Sequence, residues 1–269
     1  MDTLAERWDR LRRHVRVIGP ADERPRPAVL LFHGCGGLRQ HLPRYAEAAM
    51  QAGWRAFIID SYAARGWSRE YALATVCTGL QLRGDKRAGD VLAALSDISK
   101  WPDVIPGKIA LAGWSHGGWG IMEAMSSERR PGMLGLANPG DVSLEGIKAV
   151  YLAYPYIGVA ALNRMRPWKH CPRTLAVVSR TDHLTTVRNA ERVMTMVGNC
   201  GADIETWIAE GTHAFDEPGA VKPMVYHPQL ADEAVERFRA LLTDVAAAPP
   251  VWTSPASLRG VQTGMTRLS

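Results

Sequence analysis

Short apolar runs alternate with amphipathic stretches along most of the chain. Apolar runs with the length and composition of buried strands cover residues 28–32, 55–59, 108–114, 147–154, 174–179 and 203–208. Residues with helical spacing occupy the intervals at 42–52, 83–100, 117–127, 186–197 and 229–247. Strands that alternate with helices favour a mostly parallel sheet covered by helices on both faces. The pattern therefore predicts an α/β fold.

The pattern also predicts how the chain is divided. Residues 1–247 are expected to form a single α/β domain, since a chain of 269 residues can build one large core. Residues 1–27 extend this domain with a short amphipathic helix (3–13) and an edge strand (14–18). The Pro-, Ser- and Thr-rich stretch 248–269 lacks periodicity and is expected to be a mobile tail.

Two long connections interrupt the alternation, at residues 61–81 and 154–172. Each begins where a strand should end at its carboxyl edge, which is where open α/β sheets bind ligands. Long loops in compact domains are often functional. We therefore expect the substrate to be bound at this edge.

Composition and charge exclude several classes of function. Hydrophobic residues make up 46% of the chain, but no apolar run reaches the roughly 20 residues of a membrane span. Residues 1–16 are charged and lack a secretory apolar core, which favours a cytoplasmic location. The net charge of +5 is partly due to arginines at 7–26, but acidic residues alternate with them, so no nucleic-acid surface is expected.

The four cysteines and the glycine-rich segments give no sign of a cofactor. Cys35, Cys77, Cys171 and Cys200 form no CxxC pair, so a zinc site is not expected, and free thiols are the default in the cytoplasm. The spacing of the cysteines is also compatible with one disulfide bond. Neither a metalloprotease helix motif nor a phosphate-binding loop is present in the sequence, and we predict no metal and no cofactor.

The strongest chemical signal is Gly-Trp-Ser-His-Gly at residues 113–117, between an apolar strand and a helix. In this context the motif predicts a sharp turn that raises the Ser115 hydroxyl above the sheet as a nucleophile. Glycines are needed at its ends because side chains there would collide with the neighbouring strand and helix. The turn also leaves the His116 N–H free at a helix N-terminus, where it can stabilise an oxyanion.

A second glycine-rich segment, Phe-His-Gly-Cys-Gly-Gly at residues 32–37, follows the first buried strand. The second oxyanion donor of a serine hydrolase usually comes from the loop after this strand. We predict the Cys35 N–H as this donor, with the Gly36 N–H as the alternative.

The base and the acid are predicted from their order along the chain. In enzymes whose nucleophile lies on such a strand–turn–helix motif, the order is Ser, then Asp or Glu, then His. His213 lies between the last strand and the last helix and is predicted as the general base, with His183 and His227 as rivals. Asp182 follows the penultimate strand and is predicted to orient His213. Asp216 is the main rival acid, although it is close to His213 in sequence.

Five segments together resemble the dienelactone hydrolase family, namely Leu-Phe-His-Gly-Cys-Gly-Gly (31–37), Ile-Asp-Ser-Tyr (59–62) with Arg-Gly (65–66), Gly-Trp-Ser-His-Gly-Gly (113–118), Thr-Asp-His (181–183) and Gly-Thr-His-Ala-Phe (211–215). The resemblance implies an α/β-hydrolase with a minimal cap or none, acting on esters or lactones without a cofactor. Founding members use a cysteine nucleophile restrained by a glutamate near the oxyanion loop. This chain has Ser115 and the sequence Cys-Gly-Gly (35–37) at those places.

We therefore predict a serine hydrolase that cleaves a small-molecule carboxylic ester or lactone through an acyl-enzyme, with no nucleic-acid or membrane partner. The alternatives are a small peptidase or amidase of the prolyl-oligopeptidase type and a non-catalytic binding protein on the same fold. The natural substrate and the oligomeric state stay open. Substrate contacts are predicted, from position, for Tyr62, Arg65, Trp114, Trp119 and Tyr154.

Overall fold

A computed structural model of the protein, which describes residues 1–247, contains a seven-stranded sheet. The strands are β1 (Val15–Ile18), β2 (Arg26–Phe32), β3 (Arg55–Ile59), β4 (Val104–Trp114), β5 (Ile147–Ala153), β6 (Arg173–Thr181) and β7 (Ile204–Thr212). Their order in the sheet is β1-β3-β2-β4-β5-β6-β7. Only the edge strand β1 is antiparallel to its neighbour among these strands, and the predicted α/β class is confirmed.

Seven α-helices occur within the described residues. They are α1 (Leu4–Leu11), α2 (His41–Gln51), α3 (Arg69–Thr75), α4 (Gly84–Ile98), α5 (His116–Ser126), α6 (Val187–Gly198) and α7 (Pro228–Ala247). All but α3 cover the two faces of this sheet. Apolar residues of α1, α4, α5 and α6 form one buried cluster with one face of the sheet. Apolar residues of α2 and α7 form a second cluster with the other face.

Strand β2 shows why the sequences of the central strands are continuous apolar runs. Leu30 and Phe32 contribute to the first cluster, whereas Val29 and Leu31 contribute to the second. All four side chains are fully buried. Since both faces of a parallel sheet are covered by helices, alternate residues of such a strand are all apolar.

A buried ion cluster attaches the N-terminal helix to the rest of the fold. Asp90 on α4 accepts hydrogen bonds from Arg7 of α1 at 2.8 Å and from Arg65 at 2.8 and 2.9 Å. Burial alone would raise the pKa of Asp90, but the two guanidinium groups lower it below its usual value. Asp90 therefore stays charged and joins α1, α4 and the loop after β3.

The structure adds order that the sequence did not predict. The long connection at 61–81 contains a 3-10 turn at Ala63–Arg65 and the short helix α3. The expected mobile tail at 248–269 lies outside the described residues. No helix within residues 1–247 is long and apolar enough to cross a membrane.

All four cysteines are paired, Cys35 with Cys77 and Cys171 with Cys200, so the expectation of free thiols was wrong. The spacing of cysteines along a chain does not report which of them the fold brings together. Disulfides are more frequent in oxidising compartments than in the cytoplasm. The cytoplasmic location stays a prediction.

The start of α5 approaches the end of β2 so closely that only glycine fits there. A Cβ atom at Gly117 would lie 2.0 Å from the carbonyl oxygen of Phe32 and 2.7 Å from its carbonyl carbon. At Gly113 a Cβ would lie 2.6 Å from the backbone nitrogen of Gly118. Because backbone atoms cannot move aside as a flexible side chain can, a methyl group at either position would force strand and helix apart.

We expect Gly117→Ala to lower the free energy of unfolding by about 3 kcal/mol, because the added methyl overlaps the backbone of β2. Gly36→Ala is the matched control, since a Cβ at Gly36 would meet no atom within 4 Å. We expect this control to change stability by less than about 1 kcal/mol. Urea denaturation of both variants measures the difference. Equal transition midpoints would contradict the steric argument.

Candidate active site

Ser115 lies at the turn between β4 and α5 in a strained backbone conformation, with φ 48° and ψ −109°. Positive φ is costly for a residue with a side chain and persists only where the surroundings impose it. Here the Ser115 N–H donates to the Ala153 carbonyl at 2.9 Å, and the Tyr156 N–H donates to the Ser115 carbonyl at 3.2 Å. The end of β5 thus fixes the turn and directs the Ser115 side chain.

His213 and Asp182 lie side by side because they follow adjacent strands. β6 and β7 are paired up to the last residues, with Thr181 opposite Thr212, and the next residue of each strand is the candidate acid or base. Asp182 Oδ2 lies 2.7 Å from His213 Nδ1, and His213 Nε2 lies 2.8 Å from Ser115 Oγ. The three predicted residues therefore form one hydrogen-bonded chain.

The loop after β6 keeps Asp182 ionised. Burial is the largest single influence and would raise the pKa of this carboxyl, but the hydrogen bond and charge of His213 and two backbone N–H groups together outweigh it, and the pKa is lowered. The backbone N–H groups of Leu184 and Thr185 also donate to Asp182 Oδ1, at 2.7 and 3.1 Å. One carboxylate oxygen is thus held by the backbone while the other accepts from the imidazole, which fixes the tautomer of His213.

The rival acid, Asp216, has other partners. It accepts hydrogen bonds from Tyr45 at 2.7 Å, from Trp114 Nε1 at 3.2 Å and from the Tyr154 hydroxyl. The Tyr154 ring also contacts His213, with ring centroids 4.8 Å apart. Trp114 and Tyr154 are therefore core residues that support the site from below, which corrects their predicted role as substrate contacts.

The two predicted oxyanion donors border the same cavity as Ser115. Among backbone hydrogen bonds of the described residues, neither Cys35 N–H nor His116 N–H has an acceptor. The His116 side chain is turned away, with Nε2 2.7 Å from the Leu82 carbonyl, and burial and Arg87 lower its pKa to about 3. Its ring therefore stays neutral and is held by the Leu82 carbonyl.

The cavity beside Ser115 has a volume of about 210 Å³. Its walls are the turn after α3, the start of α5 and the loop after β5, with Val76, Arg83, Trp119, Tyr156, Ala160 and Leu184 among the lining side chains. A larger groove of about 480 Å³, around Arg16 and Pro43, contains none of the candidate catalytic residues. Position next to Ser115, rather than size, makes the smaller cavity the candidate substrate site.

Of the predicted substrate contacts, the structure places Trp119 in this cavity wall. Arg65 is instead bound to Asp90 and to the Ser61 carbonyl, so its guanidinium group is unavailable to a substrate. Tyr62 packs against Gly37 and under the Arg87 guanidinium, outside the cavity lining. Both residues are corrected from substrate contacts to supports of the loops around the site.

Two charged residues near the site were missed by sequence reasoning. Arg83 lines the cavity at the start of α4, where the sequence pattern showed only the beginning of a helix. Glu217 follows His213 by four residues and lies near Ser115 on the other side of Gly34. A Cβ built at Gly34 would be 3.9 Å from Glu217 Oε1 and 3.5 Å from Ser115 Cβ. The sequence signal for Glu217 was its position four residues after the predicted base, where only Asp216 was considered as a functional carboxylate.

Burial and the neighbouring Asp216 raise the pKa of Glu217 to about 7. Arg39, whose Nε lies 3.4 Å from Glu217 Oε2, acts in the opposite direction and lowers this pKa. The group can therefore change charge near neutral pH close to the nucleophile. No cluster of three or more side chains that could hold a metal ion occurs within residues 1–247. The arrangement is suited to nucleophilic acyl transfer at Ser115.

Comparison with known proteins gives a consistent result. The model of the dienelactone hydrolase family matches residues 14–134. A dienelactone hydrolase-like promiscuous phosphotriesterase from metagenomic libraries is 18% identical and superposes with a TM-score of 0.65, covering 86% of this chain and 92% of that one. A search of curated proteins finds no match.

A thermophilic esterase from Thermogutta terrifontis, solved with propionate bound, is 15% identical with a TM-score of 0.63, covering 86% of this chain and 89% of that one. The same esterase phosphorylated by paraoxon gives a TM-score of 0.64 at 15% identity, covering 86% and 88%. At this level of identity the neighbours show the fold, which is the α/β-hydrolase fold. The chain thus resembles the dienelactone hydrolase family in sequence over residues 14–134 and has the α/β-hydrolase fold over most of its length.

Proposed function

We propose that this protein is a serine hydrolase that cleaves carboxylic esters or lactones through an acyl-enzyme. The observation that carries the proposal is the hydrogen-bonded chain from Asp182 through His213 to Ser115, at the wall of a cavity that two free N–H groups also border. These are the groups that acyl transfer requires, namely a nucleophile, an oriented base and oxyanion donors.

In the proposed reaction, His213 Nε2 takes the proton of the Ser115 hydroxyl as Oγ attacks the ester carbonyl. The N–H groups of Cys35 and His116 stabilise the oxyanion, and Asp182 stabilises the imidazolium that forms. His213 then protonates the departing alcohol, and an acyl group stays on Ser115. Water, deprotonated by His213, attacks this acyl-enzyme and releases the acid.

The fold neighbours favour esters over the alternatives. One is an esterase with propionate bound, and the same protein is phosphorylated by paraoxon. No observation among the described residues favours a peptidase over an esterase. A binding protein would have no need of an aligned Ser-His-Asp chain. Labelling with a fluorophosphonate distinguishes the two, because rapid phosphonylation of Ser115 requires that its hydroxyl be activated.

We expect Ser115→Ala to lower kcat/KM for short p-nitrophenyl esters by about 10⁴-fold or more, because the nucleophile is removed. The variant should also no longer be labelled by a fluorophosphonate. Ser126→Ala on α5 is the control, since Ser126 is buried on the same helix but makes no hydrogen bond through its hydroxyl. Unchanged turnover or labelling of Ser115→Ala would contradict the mechanism.

We expect Arg83, rather than Arg65, to influence the choice of substrate. The Arg83 side chain is about half exposed at the cavity, with Nε 3.9 Å from Asp85 Oδ1. Arg83→Ala should lower turnover of p-nitrophenyl hemisuccinate relative to p-nitrophenyl butyrate by about fivefold, the value of an exposed charge pair of about 1 kcal/mol. Arg65→Ala should leave this ratio unchanged, because Asp90 already binds that guanidinium. Equal ratios for both variants would exclude this role of Arg83.

Glu217 should make stability depend on pH. Its pKa is raised from 4.5 to about 7 in the folded protein, so the folded state binds more protons than the unfolded chain between these values. Stability therefore falls as the pH rises through this window, by up to about 3 kcal/mol, and stays lower above it. Glu217→Gln lacks this loss, so its stability relative to wild type should increase between pH 4.5 and 8.

Urea denaturation at several pH values measures this difference. Glu128→Gln serves as the control, because the Glu128 side chain is 51% exposed and pairs only with Arg130 at the surface. A difference between Glu217→Gln and wild type that does not vary with pH would show that Glu217 titrates normally.

A further inference from the structure

The disulfide between Cys35 and Cys77 joins two sides of the candidate substrate cavity. Cys35 lies in the loop after β2, and Cys77 lies in the turn after α3, with Cα atoms 5.3 Å apart. Both cysteines line the same cavity as Ser115 and His116. The other disulfide, Cys171–Cys200, lies at the opposite edge of the sheet, before β6 and after α6. Only the first can act on the site directly.

The loop that carries Cys35 is a turn closed by a hydrogen bond from the Gly37 N–H to the Gly34 carbonyl at 3.2 Å. Cys35 lies between Gly34 and Gly36, and a Cβ at Gly36 would meet no atom within 4 Å. Upstream, the loop is fixed at His33, whose carbonyl accepts from Arg87 at 3.3 Å. Since the glycines on either side still leave the backbone within this turn several conformations, the direction of the Cys35 N–H also depends on what holds its side chain. That anchor is the sulfur of Cys77.

The turn at residues 76–79, which we call the wall turn, is joined to α3 by backbone hydrogen bonds, such as that from the Cys77 N–H to the Ala72 carbonyl at 3.2 Å, and to the oxyanion loop by the same disulfide. Val76 is buried, but Cys77, Thr78 and Gly79 are exposed, and Leu80 beyond it is 76% exposed. Of the wall turn, Val76 alone belongs to a small apolar cluster of four buried residues that is separate from the two main clusters. A segment with so little buried surface has low local stability. The disulfide gives it a covalent attachment to the oxyanion loop.

We propose that the Cys35–Cys77 disulfide is a positioning element of the active site, which holds the Cys35 N–H donor and the wall turn in place for acyl transfer. The inference rests on the proposed function of Ser115 and the oxyanion donors. Removal of one oxyanion donor from a serine hydrolase typically costs about 100-fold or more in kcat. Opening the disulfide displaces the donor rather than removing it, so a loss of about tenfold is expected.

The bond is accessible to a reductant because Cys77 is exposed. A thiolate of dithiothreitol attacks the Cys77 sulfur, a mixed disulfide forms, and Cys35 leaves as a thiolate that takes up a proton. The second thiol of the reagent then closes on its own mixed disulfide and releases Cys77. Two protein thiols and one cyclic disulfide of the reagent result, so the electrons balance.

The test compares the full-length protein with two double variants, Cys35→Ser with Cys77→Ser, and Cys171→Ser with Cys200→Ser. The rate of fluorophosphonate labelling of Ser115, and kcat and KM for p-nitrophenyl butyrate, are measured before and after treatment with dithiothreitol. Mass spectrometry of alkylated peptides shows which bond has opened. Thermal unfolding shows that each protein is folded at the temperature of the assay.

We expect the Cys35/Cys77 variant to be labelled about tenfold more slowly than wild type, with a lower kcat and no further response to dithiothreitol. The Cys171/Cys200 variant should match untreated wild type and lose activity on reduction as wild type does. Removal of the reductant and reoxidation should restore the rate in both, which separates a positional effect from irreversible unfolding.

The possible failures are distinguishable. If folded, oxidised wild type is labelled as fast as its Cys35/Cys77-reduced form, the positioning role is overturned and the serine mechanism stands. An equal loss in both double variants likewise overturns it, because the effect would then be one of general stability. If oxidised wild type is not labelled at Ser115 at all, the proposed function fails and this inference fails with it.

Discussion

The backbone of Ser115 is held at a positive φ angle, and the geometry of the whole site depends on that constraint. The strain is maintained by close packing on both sides of the turn, where Gly113 and Gly117 leave no room for a side chain. It is also maintained by two backbone hydrogen bonds to the end of β5. A nucleophile on such a turn is fixed before any substrate arrives, which is the condition for preorganised catalysis.

The sheet separates two buried carboxylates that are stabilised in different ways. On one face, Asp90 is neutralised by two arginines, and its cluster joins α1, α4 and the loop after β3. On the other face, Asp216 accepts only from neutral donors, two tyrosine hydroxyls and a tryptophan. Burial together with this unneutralised charge raises the pKa of Tyr45 and Tyr154 well above the usual value. These tyrosines therefore stay protonated and remain hydrogen-bond donors beneath His213.

The sequence predicted those parts of the site that depend on local rules. Strand, turn and helix around Ser115 follow from periodicity and glycine positions, and chain order led to Asp182 and His213, which the structure brings together with Ser115. Side chains whose roles depend on packing across the fold were not predictable in this way. Arg65 was expected at the substrate, yet Asp90, 25 residues further on, binds it. The disulfides were not predicted for the same reason, since 42 residues separate Cys35 from Cys77.

The order of the elements along the chain also bears on how such a protein can diversify. The proposed nucleophile, acid and base follow β4, β6 and β7, whereas α3 and the wall turn lie between β3 and α4. One continuous segment thus shapes a wall of the cavity without contributing any member of the hydrogen-bonded chain. Insertions, deletions or exchanges there alter the shape of the cavity and leave the reactive groups in register. This segment could be exchanged as a unit between related proteins. A replacement segment would have to carry a cysteine equivalent to Cys77 to keep the disulfide with Cys35.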